Sequence, residues 1–134
     1  MTTELLLLAA SIALGFVHMA FASAAITRVR GPKWNMGARD EKVPELTGVP
    51  ARLDRAFQNF KETFPFFAAA VLMNEFVSRT QGTPNGTATL GAHLYFWCRV
   101  IYLPLYAFGI PVVRTLIWGG SALGILLILL SAVL

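Results

Sequence analysis

Between Glu4 and Arg28 the chain carries no Asp, Glu, Lys or Arg. A helix rises 1.5 Å per residue, so about 20 such residues cross the ~30 Å hydrocarbon core of a bilayer. The run Leu5 to Thr27 is therefore read as a first transmembrane helix, bounded at about 4–28. Its Ala22-Ser23-Ala24 looks cleavable by a signal peptidase. A secretory signal opens on basic residues, however, and only Glu4 precedes this apolar run, so a retained helix is expected. Composition agrees, since 56% of the 134 residues are hydrophobic and 13% are charged, where an ordinary soluble domain carries about 25% charged residues. A chain this short holds one unit, 1–134, so any sizeable site is expected between facing helices or between subunits.

Residues 29–50 interrupt helix repeatedly with Gly31, Pro32, Gly37, Pro44, Gly48 and Pro50 while packing in charge, and are read as a loop. A second helix is expected over about 51–79. Its first half carries Arg52, Asp54, Arg55, Lys61 and Glu62, while Phe64 to Met73 is wholly apolar. Gln81 to Thr87 reads as a turn, and Asn85-Gly86-Thr87 within it fits a glycosylation sequon. A third helix is expected over about 88–108, a stop at Gly109-Ile110-Pro111, and a fourth helix over about 111–134. The fold class is thus an all-α membrane protein, an up-down bundle of four transmembrane helices. The net charge of +4 is concentrated at Arg28, Arg30, Lys33, Arg39, Lys42, Arg52 and Arg55. Such a stripe marks loop 29–50 as cytoplasmic, with both termini on the opposite side, and suits anionic headgroups or small anions. Membrane lipids are therefore expected partners and nucleic acid is not. The single cysteine, Cys98, allows no intrachain disulfide or cysteine-based zinc site and is read as packing.

Ionisable groups at membrane depth are costly and face a bundle interior, a partner or a wet cavity. At about 100° per residue, Arg55, Asn59 and Glu62 fall within roughly a 60° arc of the second helix. Arg99, Tyr102 and Tyr106 share a face of the third, and Arg114 opens the fourth nearby. Guanidinium forks, an amide, a carboxylate and phenols form the donor set for a small zwitterion with several carboxylates. Glutathione meets that description, and Arg114 in the first turn of a helix is placed to favour its thiolate. The plainer alternative is that these groups form interhelical pairs fixing bundle register, with Tyr102 and Tyr106 as interfacial belt residues. His18 and His93 receive no role, no metal site is expected, and Asn74 and Glu75 are read as rim residues.

The run Arg55-Ala56-Phe57-Gln58-Asn59-Phe60-Lys61-Glu62-Thr63-Phe64-Pro65 resembles the second helix of the MAPEG family, membrane-associated proteins in eicosanoid and glutathione metabolism. Arg99 to Thr115, with Tyr102, Tyr106 and Arg114, resembles the family's third helix and the start of its fourth. The resemblance covers essentially the whole chain, and the segments Asn35 to Asp40 and Pro44 to Arg55 look like bacterial members. It implies a homotrimer in the bacterial inner membrane. Glutathione as co-substrate would lie between adjacent subunits, and a lipophilic small-molecule substrate would arrive from the bilayer. By position, Arg55, Asn59, Glu62, Tyr102, Tyr106 and Arg114 match glutathione-contacting residues, Arg114 being the one that stabilises the thiolate. Arg28 or Arg30 corresponds to a further arginine contact, and Arg99 belongs to the same polar set. The branch that isomerises prostaglandins has His and Arg where this chain has Phe57 and Gln58, so that activity is not expected. What remains is a glutathione transferase or glutathione-dependent peroxidase acting on lipophilic electrophiles or lipid hydroperoxides. The alternative is a non-catalytic membrane scaffold or accessory subunit, since some members regulate another protein.

Overall fold

In this computed structural model the described residues are 1–82 and 86–134, and their regular structure is helical with no strand among them. Thr2 accepts the Leu5 N–H and starts α1, Thr3–Arg30, whose first turn holds Glu4 and whose last holds Arg28 and Arg30, complementing the helix dipole. Gly31, at φ 88°, returns its N–H to the Thr27 carbonyl, and Pro32 then begins the short helix α2, Pro32–Met36, inside the stretch expected to be loop. Helix α3 spans Gly48–Gln81 without a break at Pro65 and ends at Gly82 in the left-handed conformation. Helices α4, Gly86–Ala107, and α5, Pro111–Val133, follow. The expected turn at 81–87 falls partly on residues 83–85, and with it the Asn85 sequon lies outside the described residues.

Helices α1 and α5 are long and apolar enough to cross a membrane, each with a hydropathy of 2.2 over its best window. Only 28% and 17% of those windows are buried within the protein. Leu6, Ile12, Phe16, Leu116, Leu123 and Leu126 stand exposed, which in water would be a large unprotected apolar surface. A membrane environment resolves that cost.

The long helices pack around Leu7, Leu8, Phe67, Ala70, Val71, Ala92, Tyr95 and Ile128, with the Phe67 and Tyr95 rings stacked at 3.9 Å. Helices α4 and α5 touch backbone to backbone where Gly91 meets Gly124. A Cβ added to either glycine would stand 2.6 Å from the other's carbonyl oxygen. Small residues that let helix backbones approach are the usual basis of packing where lipid removes the hydrophobic drive.

Asn74 and Glu75 are not rim residues, as the sequence reading had them. They are 4% and 9% exposed and belong to a polar clamp at one end of the bundle. Thr2 donates to Glu75 at 2.8 Å, Arg79 pairs with the same carboxylate at 2.8 Å, and Ser131 donates to Asn74 at 3.2 Å. Thr89 donates to the buried Glu4. Seven polar side chains thereby tie α1, α3, α4 and α5 together, and both chain termini lie at this end. Amphipathic periodicity alone did not expose the clamp, because its members bond across helices distant in sequence.

At the opposite end Arg52 of α3 donates from Nη1 to the Ala107 carbonyl at 3.2 Å, covering the C-terminus of α4. Its guanidinium lies over Gly109, which has φ 73° and where an added Cβ would meet the Arg52 Cζ at 3.0 Å. Gly109→Ala should lower stability by about 1–2 kcal/mol from the left-handed backbone alone. Thermal unfolding in detergent checks this, and an unchanged midpoint would show the turn to be remodelled at no cost.

Candidate functional site

The clamp fixes one end of the bundle and leaves the other to the start of α3, the end of α4 and the start of α5. There Asn59, Tyr102, Tyr106, Arg114, Thr115 and Trp118 line an open cleft of about 230 Å³. Three helices converge on it for local reasons. Tyr102 and Tyr106 are one turn apart on α4, so their rings meet edge to face at 5.4 Å. Pro111 opens α5 at a position that needs no N–H donor, so Arg114 and Thr115 emerge directly beside α4. Trp118 lies one turn beyond Arg114 on the same side.

Arg114 is half-buried, with its guanidinium 4.4 Å from the Tyr106 ring centroid. That stacking holds the planar fork over an aromatic face while its N–H groups remain available to an anion. Arg99 has a different place. It is 1% exposed and stands behind the cleft wall, 5.6 Å and 5.1 Å from the ring centroids of Tyr95 and Tyr102. Its Nη1 donates to the Asn59 Oδ1 at 2.7 Å. Arg99 therefore orients the amide that lines the cleft instead of lining the cleft itself.

Of the residues singled out from the sequence, the structure brings Asn59, Tyr102, Tyr106 and Arg114 to one cleft, with Arg99 as their support. Arg55 and Glu62 are exposed on α3. Arg30 stacks on Trp34 of α2 at 4.6 Å, with Arg39 over the same ring at 5.1 Å. Arg28 borders a separate groove with Phe21, Val49, Pro50 and Leu53. These four side chains stand outside the cleft lining. Thr115 and Trp118 are the lining residues that sequence reasoning gave no role. For Trp118 the i, i+4 spacing from Arg114 was the available signal.

A larger groove of about 340 Å³ runs between α1 and α3, past Ile12, Gly15, Phe16, Phe57, Phe60 and Phe64. Its side chains are apolar apart from Lys61, whose ammonium lies 4.8 Å from the Phe57 ring centroid. A groove without acceptors or a paired acid and base suits hydrocarbon, whereas the smaller cleft carries an amide, two phenols and a guanidinium. Among the described residues no group of three or more His, Cys, Asp and Glu side chains is disposed to hold a metal ion.

Compared with known proteins, the chain finds no match among curated sequences. A family model described as the MAPEG family matches residues 7–134, from the first turns of α1 to the end of α5. That span includes every residue of the cleft and every long helix that builds it, and the chain belongs to the MAPEG family.

Proposed function

We propose that this membrane protein is a glutathione transferase or glutathione-dependent peroxidase acting on lipophilic electrophiles or lipid hydroperoxides. It would work as a homotrimer of four-span protomers in the bacterial inner membrane with loop 29–50 cytoplasmic. The observation that carries the reading is the convergence of Arg114, Tyr102, Tyr106 and Asn59 on one cleft. A carboxylate and an ionising thiol are the anions such a set receives. Arg114 and the N-terminal amides of α5 supply positive charge to a sulfur, the tyrosine hydroxyls donate, and Asn59 offers an amide to the peptide groups.

In the transferase reaction the thiol loses its proton to water. The thiolate then forms a carbon–sulfur bond to the electrophile and expels its leaving group with the bonding pair. With a hydroperoxide the thiolate takes the distal oxygen as the O–O bond breaks, giving a sulfenic acid and an alkoxide that regains a proton from water as the alcohol. The thiol of a second glutathione then converts the sulfenic acid to the disulfide and water. Positioning and local charge do most of this work.

A trimer is supported by the exposed face of α3. Arg55, Gln58, Glu62, Pro65, Ala69, Leu72 and Phe76 are all exposed, and they alternate at intervals of three and four residues. That is the spacing by which one helix packs along a copy of itself. Packing there would let Arg55, Glu62 and either Arg28 or Arg30 complete the site across protomers. The scaffold reading draws on the buried Arg99–Asn59 bond, which fixes α3 against α4 whether or not a ligand binds.

Thermal unfolding in detergent with and without millimolar glutathione separates the two readings. A ligand held only by the folded state, present at about 100 times its Kd, adds roughly 2.7 kcal/mol. The midpoint should rise with glutathione and not with a thiol lacking its carboxylates. No rise with any low-molecular-weight thiol would leave only the scaffold.

A further inference from the structure

The bundle interior holds a cation whose hydrogen-bonding capacity is only partly used. Arg99 of α4 is 1% exposed, and its Nη1 donates to the Asn59 Oδ1 at 2.7 Å. Its buried Nε and Nη2 have no partner among the described residues. The salt bridge found among those residues joins Arg79 to Glu75, so no carboxylate there balances Arg99. A buried guanidinium with idle N–H groups is costly, and such groups are normally joined to a neighbouring acceptor or to a buried water.

The two idle donors point the same way. Nε–H and one Nη2–H of a guanidinium form a fork that a single oxygen can receive. Arg39 shows the arrangement in this chain, donating to the Asn35 carbonyl oxygen from Nε at 3.3 Å and from Nη2 at 3.1 Å. For Arg99 the oxygen at hand belongs to Tyr95, one turn earlier on the same helix. Tyr95 is 0% exposed, its ring centroid lies 5.6 Å from the Arg99 Cζ, and its buried hydroxyl is also unpaired among the described residues. Tyr102 presents its ring to the guanidinium at 5.1 Å, but its hydroxyl is not one of those buried unpaired atoms. Ser11 and His18 of α1 also keep unpaired atoms, and His18 stacks on Phe60 at 4.9 Å.

We infer that Tyr95 is a positioning residue for the cleft. Its hydroxyl oxygen receives the Nε and Nη2 fork of Arg99, with at most one water between them, and so fixes the guanidinium that holds Asn59. A guanidinium only donates, so the Asn59 oxygen faces Arg99 and the Asn59 NH2 is the end left for the cleft. Tyr95 thereby acts on a ligand through two side chains and touches none. The ligand-binding part of this inference rests on the cleft being the glutathione site proposed above.

Tyr95→Phe in the full-length protein keeps the ring that stacks on Phe67 at 3.9 Å and removes only the oxygen. The first readout needs no ligand. With isotope-labelled asparagine, assigned against Asn59→Ala, the Asn59 side-chain amide signals should move in Tyr95→Phe, while those of Asn74 at the other end of the bundle stay in place. The second readout uses glutathione. At unchanged elution volume, the concentration giving the half-maximal thermal shift and the KM for glutathione should rise by about three- to tenfold, as expected for one lost interior hydrogen bond. The kcat should fall less.

Unmoved Asn59 signals in Tyr95→Phe would overturn the inference, and movement in His18→Phe alone would give the acceptor role to the α1 imidazole. A glutathione response equal to that of wild type would overturn the positioning role. Should Tyr95→Phe not fold, isotope-labelled tyrosine decides, with Tyr95 assigned by elimination against Tyr102→Phe and Tyr106→Phe. The signal of its hydroxyl-bearing carbon should move in Asn59→Ala, which frees the guanidinium, and an unmoved signal would overturn the inference equally. A wild type without any glutathione response is a different result. It removes the proposed function, and the Asn59 amide signals still decide whether Tyr95 sets that side chain.

Discussion

Gly124→Ala should loosen the contact between α4 and α5 and lower stability by about 1–3 kcal/mol, the range for overpacking a filled interior. The new methyl carbon would stand 2.6 Å from the Gly91 carbonyl oxygen and 2.8 Å from the Tyr95 backbone nitrogen. Both obstacles are backbone, so no side-chain rotation relieves them. The sign is the informative part, since Gly→Ala within a helix otherwise gains up to about 1 kcal/mol from propensity. Gly119→Ala is the internal control, because nothing lies within 4 Å of a Cβ at that position on the same helix. Thermal unfolding should therefore move down for Gly124→Ala and stay level or rise for Gly119→Ala. If both substitutions behaved alike, the backbone contact would not be what holds α5. The displacement would also tilt α5, which carries Arg114, Thr115 and Trp118 into the cleft.

Arg114→Ala should abolish the ultraviolet absorbance of bound thiolate and reduce turnover by about 10²- to 10³-fold, the loss typical of removing one preorganised charge-stabilising donor. The half-buried guanidinium on the Tyr106 ring is the cation that geometry places in the cleft lining. Arg114→Lys should recover part of the thiolate signal. It restores a charge but neither the planar fork nor its stacking on the ring. The unfolding midpoint of the ligand-free protein should change little in either variant, because Arg114 has no carboxylate partner whose charge would be stranded among the described salt bridges. A thiolate signal that persists in Arg114→Ala would assign the stabilising role to the tyrosines or to another protomer.

Much of this architecture was legible because membrane insertion imposes a coarse and demanding pattern. An uncharged stretch as long as Leu5 to Thr27 has few alternatives to a helix. Prolines at 32 and 111 and glycines at 31, 82 and 109 mark helix ends through backbone constraints that act locally. Periodicity likewise grouped Tyr102 with Tyr106, since two residues one turn apart meet wherever the helix goes.

Periodicity also placed Asn59 on a stripe with Arg55 and Glu62, and there the helix-face argument lost resolution. A span of roughly 60° cannot say which edge of the stripe the neighbouring helix covers. In the fold Asn59 turns toward Arg99 while Arg55 and Glu62 remain outside. The same limit applies to Asn74 and Glu75, which bond across the bundle to Ser131 and Thr2, far away in sequence.

Sequence by itself determined that the chain is helical and apolar enough for a bilayer, and which side chains carry acid, base and hydrogen-bonding capacity. These are local or summed properties of the chain. Only tertiary structure decided that Arg99 is an interior support and not a lining residue, that Arg52 covers the end of α4, and that Trp118 joins the cleft. Each of those outcomes depends on the rotation of one helix against another. Rotation is set by close contacts such as Gly91 against Gly124, whose energy comes from atoms brought together only when the bundle has packed.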